Sequence, residues 1–182
     1  YLGGMAISGP AGLWDCGLGQ GLRMSNVVLV GSRDIDPAEQ RLIDTGVVRL
    51  VPSGARLAAR LTDAIAGRPV YVHLDCDVLC PGIVPTDFVV EGGLSLAELQ
   101  EACTAIAAHE LVGMEIAEFQ AAWHAGGAPV SARPLIGALT PLLDALGRNP
   151  GRWDLSSAFS VGSGGAVFSE SKQAKFREHF PN

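Results

Sequence analysis

Lysine is close to absent from this chain: among 182 residues only Lys172 and Lys175 carry it, and both fall in the last 32. Charge of either sign is sparse, at 18% of residues, with 19 acidic groups against 13 basic and a formal net charge of -6. No block of Lys and Arg exists that would neutralise a phosphate backbone, which argues against a nucleic-acid partner. Long hydrophobic runs are missing too. None approaches the roughly 18 to 20 residues that span a bilayer, and the amino end lacks the basic, apolar and small-residue regions of a signal peptide. The expectation is a cytoplasmic protein with no membrane partner. The four cysteines, Cys16, Cys76, Cys80 and Cys103, lack zinc-ribbon spacing, because the pair at 76 and 80 has neither a second pair nor a His partner at ligand spacing. They read as free thiols, mostly buried.

What the chain does have is apolar mass. With 48% hydrophobic residues and a mean hydropathy of +0.27, it can bury one sizeable core, and disorder is a poor reading of the whole. Composition shifts near residue 150. Residues 1 to 150 hold 16 acidic and 9 basic groups, whereas residues 151 to 182 hold 3 and 4 together with a Ser/Gly stretch from Ser156 to Gly165. The expected organisation is a body over residues 1 to 150 and a tail or partner-contacting arm over 151 to 182.

Within the body, short β-branched runs alternate with longer Ala/Leu-rich ones, the pattern of a parallel α/β fold. Strands are expected at 26 to 31, 47 to 51, 70 to 75 and 111 to 117. Helices are expected at 37 to 45, 54 to 66, 95 to 109 and 132 to 146, with a further one after Gly4. Each strand is nearly all apolar, as burial on both sheet faces demands.

Three acidic signals stand out. In YVHLDCDVLCP, Asp75 and Asp77 end an apolar strand at i and i+2, so both carboxylates converge on one patch at the edge where α/β sheets bind ligands. Like charges that close call for a cation, and a divalent metal is the simplest resolution. The bland alternative is that Asp77 caps a turn while Asp75 meets an Arg. In GMEIAEFQ, Glu115 lies inside an apolar run and Glu118 just beyond it, so at least one needs a fixed partner, Arg133 or another arginine being the ordinary choice. In SRDIDPAEQRLI, Asp36 at the N-cap, Pro37 at N1 and Glu39 at N3 make a capping box that requires no function, although a cap at the mouth of the sheet can also turn one oxygen outward. His73 is expected in the core rather than as a ligand, and His109 at a helix end where its charge suits the dipole. His124 lies in a loop near Glu118, and His179 in the tail.

Taken together, the blocks NVVLVGSRDIDPAEQRLI, HLDCDVLCPGIVPTDFVVEGGLSLAEL and LVGMEIAEFQ resemble the arginase, agmatinase and formiminoglutamase superfamily, the ureohydrolases, over roughly Tyr1 to Leu146. The resemblance implies a three-layer α/β/α fold with a mainly parallel sheet, a dinuclear manganese site at the strand ends, and hydrolysis of a C–N bond in a linear guanidino or formimino substrate. It further implies that Asp75 and Asp77 bind metal, Asp77 and Glu118 serve catalysis, and Glu118 holds the guanidinium. Asp36 and Glu39 would lie near the far end of the substrate. Homo-oligomers are the family habit.

Departures accompany the matches. The metal-binding His and the Asp-x-His-x-Asp motif of complete members are not in this sequence, Gly3 stands where arginases carry a His, and Cys80 replaces an Asp. Thr86, Asp87, Phe88 and Val89 replace a small Gly/Thr-rich loop. With Tyr1 rather than Met in first place, the expected reading is the carboxyl-terminal portion of such an enzyme, its sheet incomplete at the amino end. Two alternatives stay open: a non-catalytic relative, and a haloacid-dehalogenase-type phosphohydrolase with Asp75 as nucleophile and Asp77 as acid/base.

Overall fold

The computed structural model describes residues 5–15, 17 and 21–148. Cys16, Gly3, the 151 to 182 tail and His179 lie outside these residues. Strands β1 (Val28–Val30), β2 (Arg49–Val51), β3 (Val70–Asp75) and β4 (Leu111–Ala117) alternate with helices α2 (Pro37–Asp44), α3 (Leu57–Ile65), α4 (Leu96–Ala107) and α5 (Arg133–Gly147), after a short α1 (Met5–Ser8). The expected α/β class and the four strands are present, with most elements trimmed by one to three residues at an end, where hydrogen bonding frays.

Both strand pairings are parallel. β1 pairs with β2, Val28 opposite Arg49 and Val30 opposite Val51, with α2 as the crossover. β3 pairs with β4, His73 opposite Glu115 and Asp75 opposite Ala117, with α4 as the crossover. Among the described residues these form two separate two-stranded sheets rather than one. Arginines join the two sheets at both ends. Arg68, just before β3, donates from Nη1 to Asn26 Oδ1 at 2.8 Å, ahead of β1. Arg33, just after β1, donates from Nη2 to the Asp77 carbonyl at 2.8 Å.

Helix starts follow local chemistry. Asp36 Oδ1 accepts from the amides of Ala38 and Glu39 at 2.7 and 2.9 Å, completing the expected capping box with Pro37 inside the first turn. A second box begins α4, where Ser95 Oγ accepts from Glu98 N and the Glu98 carboxylate accepts from Ser95 N. Buried residues of α3 (Leu57, Leu61, Ala64, Ile65), α4 (among them Leu99, Ala102, Cys103, Ile106) and α5 (Leu135, Ala138, Leu139, Leu142) recur three, four and seven residues apart, giving each helix one apolar stripe. α4 packs against both α3 and α5, and their stripes meet Leu74, Leu79, Leu94 and Leu111 in a single core.

Burial on both sheet faces is not realised among the described residues. Val70, Val72 and Leu74 turn toward the core, whereas Tyr71, on the other face of β3, is 58% exposed. His73 shares that face, so the expected core histidine is corrected to a half-exposed one. The neighbouring strand supplies its partner, since register sets Glu115 opposite His73, and Nδ1 lies 2.9 Å from Oε1 with the side chains 51% and 55% exposed. Glu115 thus meets a histidine from the adjacent strand rather than Arg133.

Leu57 of α3 and Leu142 of α5 are fully buried in this core. Leu142→Ala is expected to destabilise the chain by about 2–5 kcal/mol through lost transfer energy and the cavity left behind, measured by urea unfolding.

Candidate functional site

The strand run ends at Asp75, and the chain then makes a 3-10 turn, Cys76–Val78, that carries Asp77. The two carboxylates are therefore brought together by a turn rather than by strand pleating. Asp75 Oδ1 accepts from Asp77 N at 3.3 Å, so Asp75 caps the turn. An arginine does lie close by, but it is Asp77 that feels Arg33, so the roles in the bland alternative are exchanged.

Burial pushes the Asp77 carboxyl above the ordinary carboxylate range, and the neighbouring Asp75 and Glu118 charges add to the shift while Arg33 opposes it. Beneath the pair, Cys76 is buried, and its thiol is raised to about 11 by burial and then by Asp75, Asp77 and Glu118. Cys103, buried in α4, is pushed up to about 12 by burial, whereas Cys80 is half-buried and free. The three cysteines among the described residues match the expected free thiols.

Glu118 stands one residue past β4 with φ of 56°, the left-handed region that non-glycine residues seldom adopt. Such strain gathers at ligand sites. Two residues on, Gln120 N donates to the Pro85 carbonyl at 3.0 Å, tying the loop after β4 to the loop after β3. A cavity of about 530 Å³ opens between these loops, lined by Arg33, Asp77, Cys80, Phe88, Trp123 and His124 among others. Phe88 and Trp123 are 53% and 54% exposed, as befits side chains on a cavity wall.

Asp75, Asp77 and Glu118 are thus gathered at the carboxyl ends of β3 and β4. Asp36 and Glu39 stand at the start of α2; of these five acids only Asp77 is in the cavity lining. Both amide bonds to Asp36 fall on Oδ1, so the capping role is real and Oδ2 remains available. Sequence reasoning overlooked Arg33, although it sits inside one of the three motif blocks, because its acceptors are main-chain carbonyls that no residue pattern reveals. It also left open why Gly93 follows Gly92. Gly93 has φ of 105°, and a Cβ there would stand 2.5 Å from the Val78 carbonyl oxygen, so only glycine lets the returning chain pass the acidic turn.

The arginase family model matches residues 15–132. The chain belongs to the arginase family. A curated relative, the N(omega)-hydroxy-L-arginine amidinohydrolase of Streptomyces lavendulae, is 42% identical over 150 residues, covering 82% of this chain and 55% of its own. Among solved structures, an Entamoeba histolytica arginase in complex with L-ornithine superposes with a TM-score of 0.61 at 17% identity, over 77% of this chain and 51% of that one. The proclavaminate amidino hydrolase of Streptomyces clavuligerus gives 0.55 at 25% identity, over 68% and 44%. The chain spans about half the length of the relatives it matches. These likenesses confirm the expected arginase-like α/β fold and leave the phosphohydrolase alternative without support.

Two outcomes follow. Asp77→Asn removes a carboxylate held against another at a cost and is expected to raise the melting temperature of the metal-free chain, measured by calorimetry. At Asp36 the two amide bonds hold the carboxyl below its ordinary 3.8. Its stabilisation of α2 is complete above that value and is lost as pH falls through the lowered one. The protection of the Ala38 and Glu39 amides, measured against the intrinsic exchange rate at each pH, should fall over that acid range, and Asp36→Ala should show the reduced protection at every pH.

Proposed function

We propose that this chain forms part of a metal-dependent hydrolase of the ureohydrolase type, acting on a C–N bond of a linear guanidino or formimino compound. The observation that carries this reading is the convergence of Asp75, Asp77 and Glu118 at one end of β3 and β4 in a chain of the arginase family. The name of the 42%-identical relative supports a guanidino substrate, with Nω-hydroxy-L-arginine the first to try.

Two adjacent carboxylates suit a hard divalent cation in donor type, and the repulsion that raises Asp77 is what a cation would relieve. In number they do not enclose one. Among the described residues no group of three His, Cys, Asp or Glu side chains is placed to hold a metal ion. Asp75 and Asp77 therefore fit a manganese centre as two of its ligands. Bound manganese supplies an acidified water as nucleophile.

The chain's own residues then have distinct tasks in this reading. Glu118 accepts hydrogen bonds from the guanidinium and orients its carbon toward Asp77. The cavity walled by Phe88 and Trp123 holds the rest of the substrate away from water, and Asp36 and Glu39 reach its far end across the mouth of the fold. The body over residues 1 to 150 carries this site, the tail from 151 to 182 is an extension or partner-contacting arm, and the protein works as a cytoplasmic homo-oligomer.

Titration of the chain with Mn2+, followed by the loss of the free-ion EPR signal, tests the proposal. Weak binding is expected in the parent, and Asp75→Ala should abolish it together with any release of a urea from Nω-hydroxy-L-arginine. No binding at millimolar metal would overturn it in favour of a relative that keeps the fold without the chemistry.

A further inference from the structure

Arg33 lies three residues beyond β1, and its guanidinium reaches across to the loop that leaves the acidic turn and returns to α4. Nη2 donates to the carbonyls of Val90 at 2.7 Å, Asp77 at 2.8 Å and Leu79 at 3.3 Å, and Nε to those of Val90 and Glu91, each at 3.2 Å. Every acceptor is main chain, drawn from both the outgoing and the returning arm. The same arms are pinned to each other by Cys80 N to Leu94 O and Leu94 N to Val78 O, both at 2.9 Å. A planar guanidinium with donors fixed in a fork can hold several carbonyls in one plane, which a single ammonium cannot.

The choice of acceptors matters. An arginine paired directly with the Asp77 carboxylate would occupy the oxygens that a ligand needs. Gripping the Asp77 peptide instead fixes where that side chain starts while leaving both oxygens unclaimed by the arginine. The grip on Val90 and Glu91 sets the other end of the stretch that carries Thr86 to Val89 along the cavity, and Arg33 itself lines that cavity.

We infer that Arg33 is a positioning residue: through the peptides of Asp77 and Val90 it sets the geometry of the acidic pair and of the cavity wall in one stroke. This rests on the metal-binding reading above and adds to it a residue with no direct part in ligation.

The test uses the full 182-residue chain with Arg33→Met, Arg33→Lys and a control, Arg60→Met. Arg60 also donates to main-chain carbonyls, those of Pro52, Ser53 and Gly54, but on the β2–α3 connection. Arg33→Met should weaken Mn2+ binding about tenfold or more, as loss of an orienting partner does, and should strip amide protection from Cys80 and Leu94. Arg33→Lys should keep the melting temperature near that of the parent without restoring the affinity. Arg60→Met should change neither affinity nor protection at those amides. Parental affinity and protection in Arg33→Met would overturn the inference, as would full rescue by lysine, which would mean that a point charge suffices. If the parent binds no manganese, the functional reading fails and exchange alone decides. Protection lost in Arg33→Met but kept in Arg60→Met then upholds the positioning role, and equal protection in both removes it.

Discussion

Two carboxylates that end one strand and begin the next turn repel each other, and the surrounding structure is organised to hold them together. The Asp75 side chain is spent partly on the amide of Asp77, Arg33 stands behind the peptide rather than on the acid, and Gly93 removes the side chain that would push the returning loop away. None of these devices neutralises the pair. Asp77 stays raised and Cys76 stays a thiol, so the metal-free chain retains an electrostatic cost at this point, a common condition of sites built to receive a cation.

The parts of the fold readable from sequence are those set within a few residues. The cap at Asp36 and the positions of the helices and of the four strands depend on local spacing, and Asp36 and Glu39 take up the capping geometry that the D-x-x-E logic requires; the same logic applies to Ser95 and Glu98, whose cap the structure adds. The parts that were not readable depend on what lies across a gap. An apolar strand points His73 to the core, yet whether a strand face is covered is decided by other layers of the molecule. Glu115 found its partner through strand register, 42 residues away in sequence. Arg33 was invisible for a different reason: backbone carbonyls are present at every residue, so an arginine that binds them leaves no complementary pattern. The acidic cluster itself was readable, but the turn that delivers Asp77 was not, since i and i+2 on a strand and on a 3-10 turn look alike in one dimension.

The chain is similar to about half of each relative's length, and among the described residues no third His, Cys, Asp or Glu joins Asp75 and Asp77 in a metal-binding group. The described residues supply the acidic end of a cleft, the loops that wall it and the core beneath, while the sheet is held as two ribbons bridged by Arg33 and Arg68. Cleft and core meet at this edge because, in parallel α/β architecture, ligands collect where strand ends converge.

At Glu118 the chain leaves β4 through the left-handed region. A peptide plane turned over at the last step of β4 works as a swivel, separating the direction of the strand from that of the segment that follows. Beyond it, Gln120 and Val130 provide the segment's main-chain ties, to Pro85 and to Ala121, and both use backbone atoms that any sequence offers. Phe119 stays packed against the core, so the segment is anchored at its root by a side chain and farther out by main-chain bonds alone, and the direction in which it crosses the cavity is set at a single torsion angle.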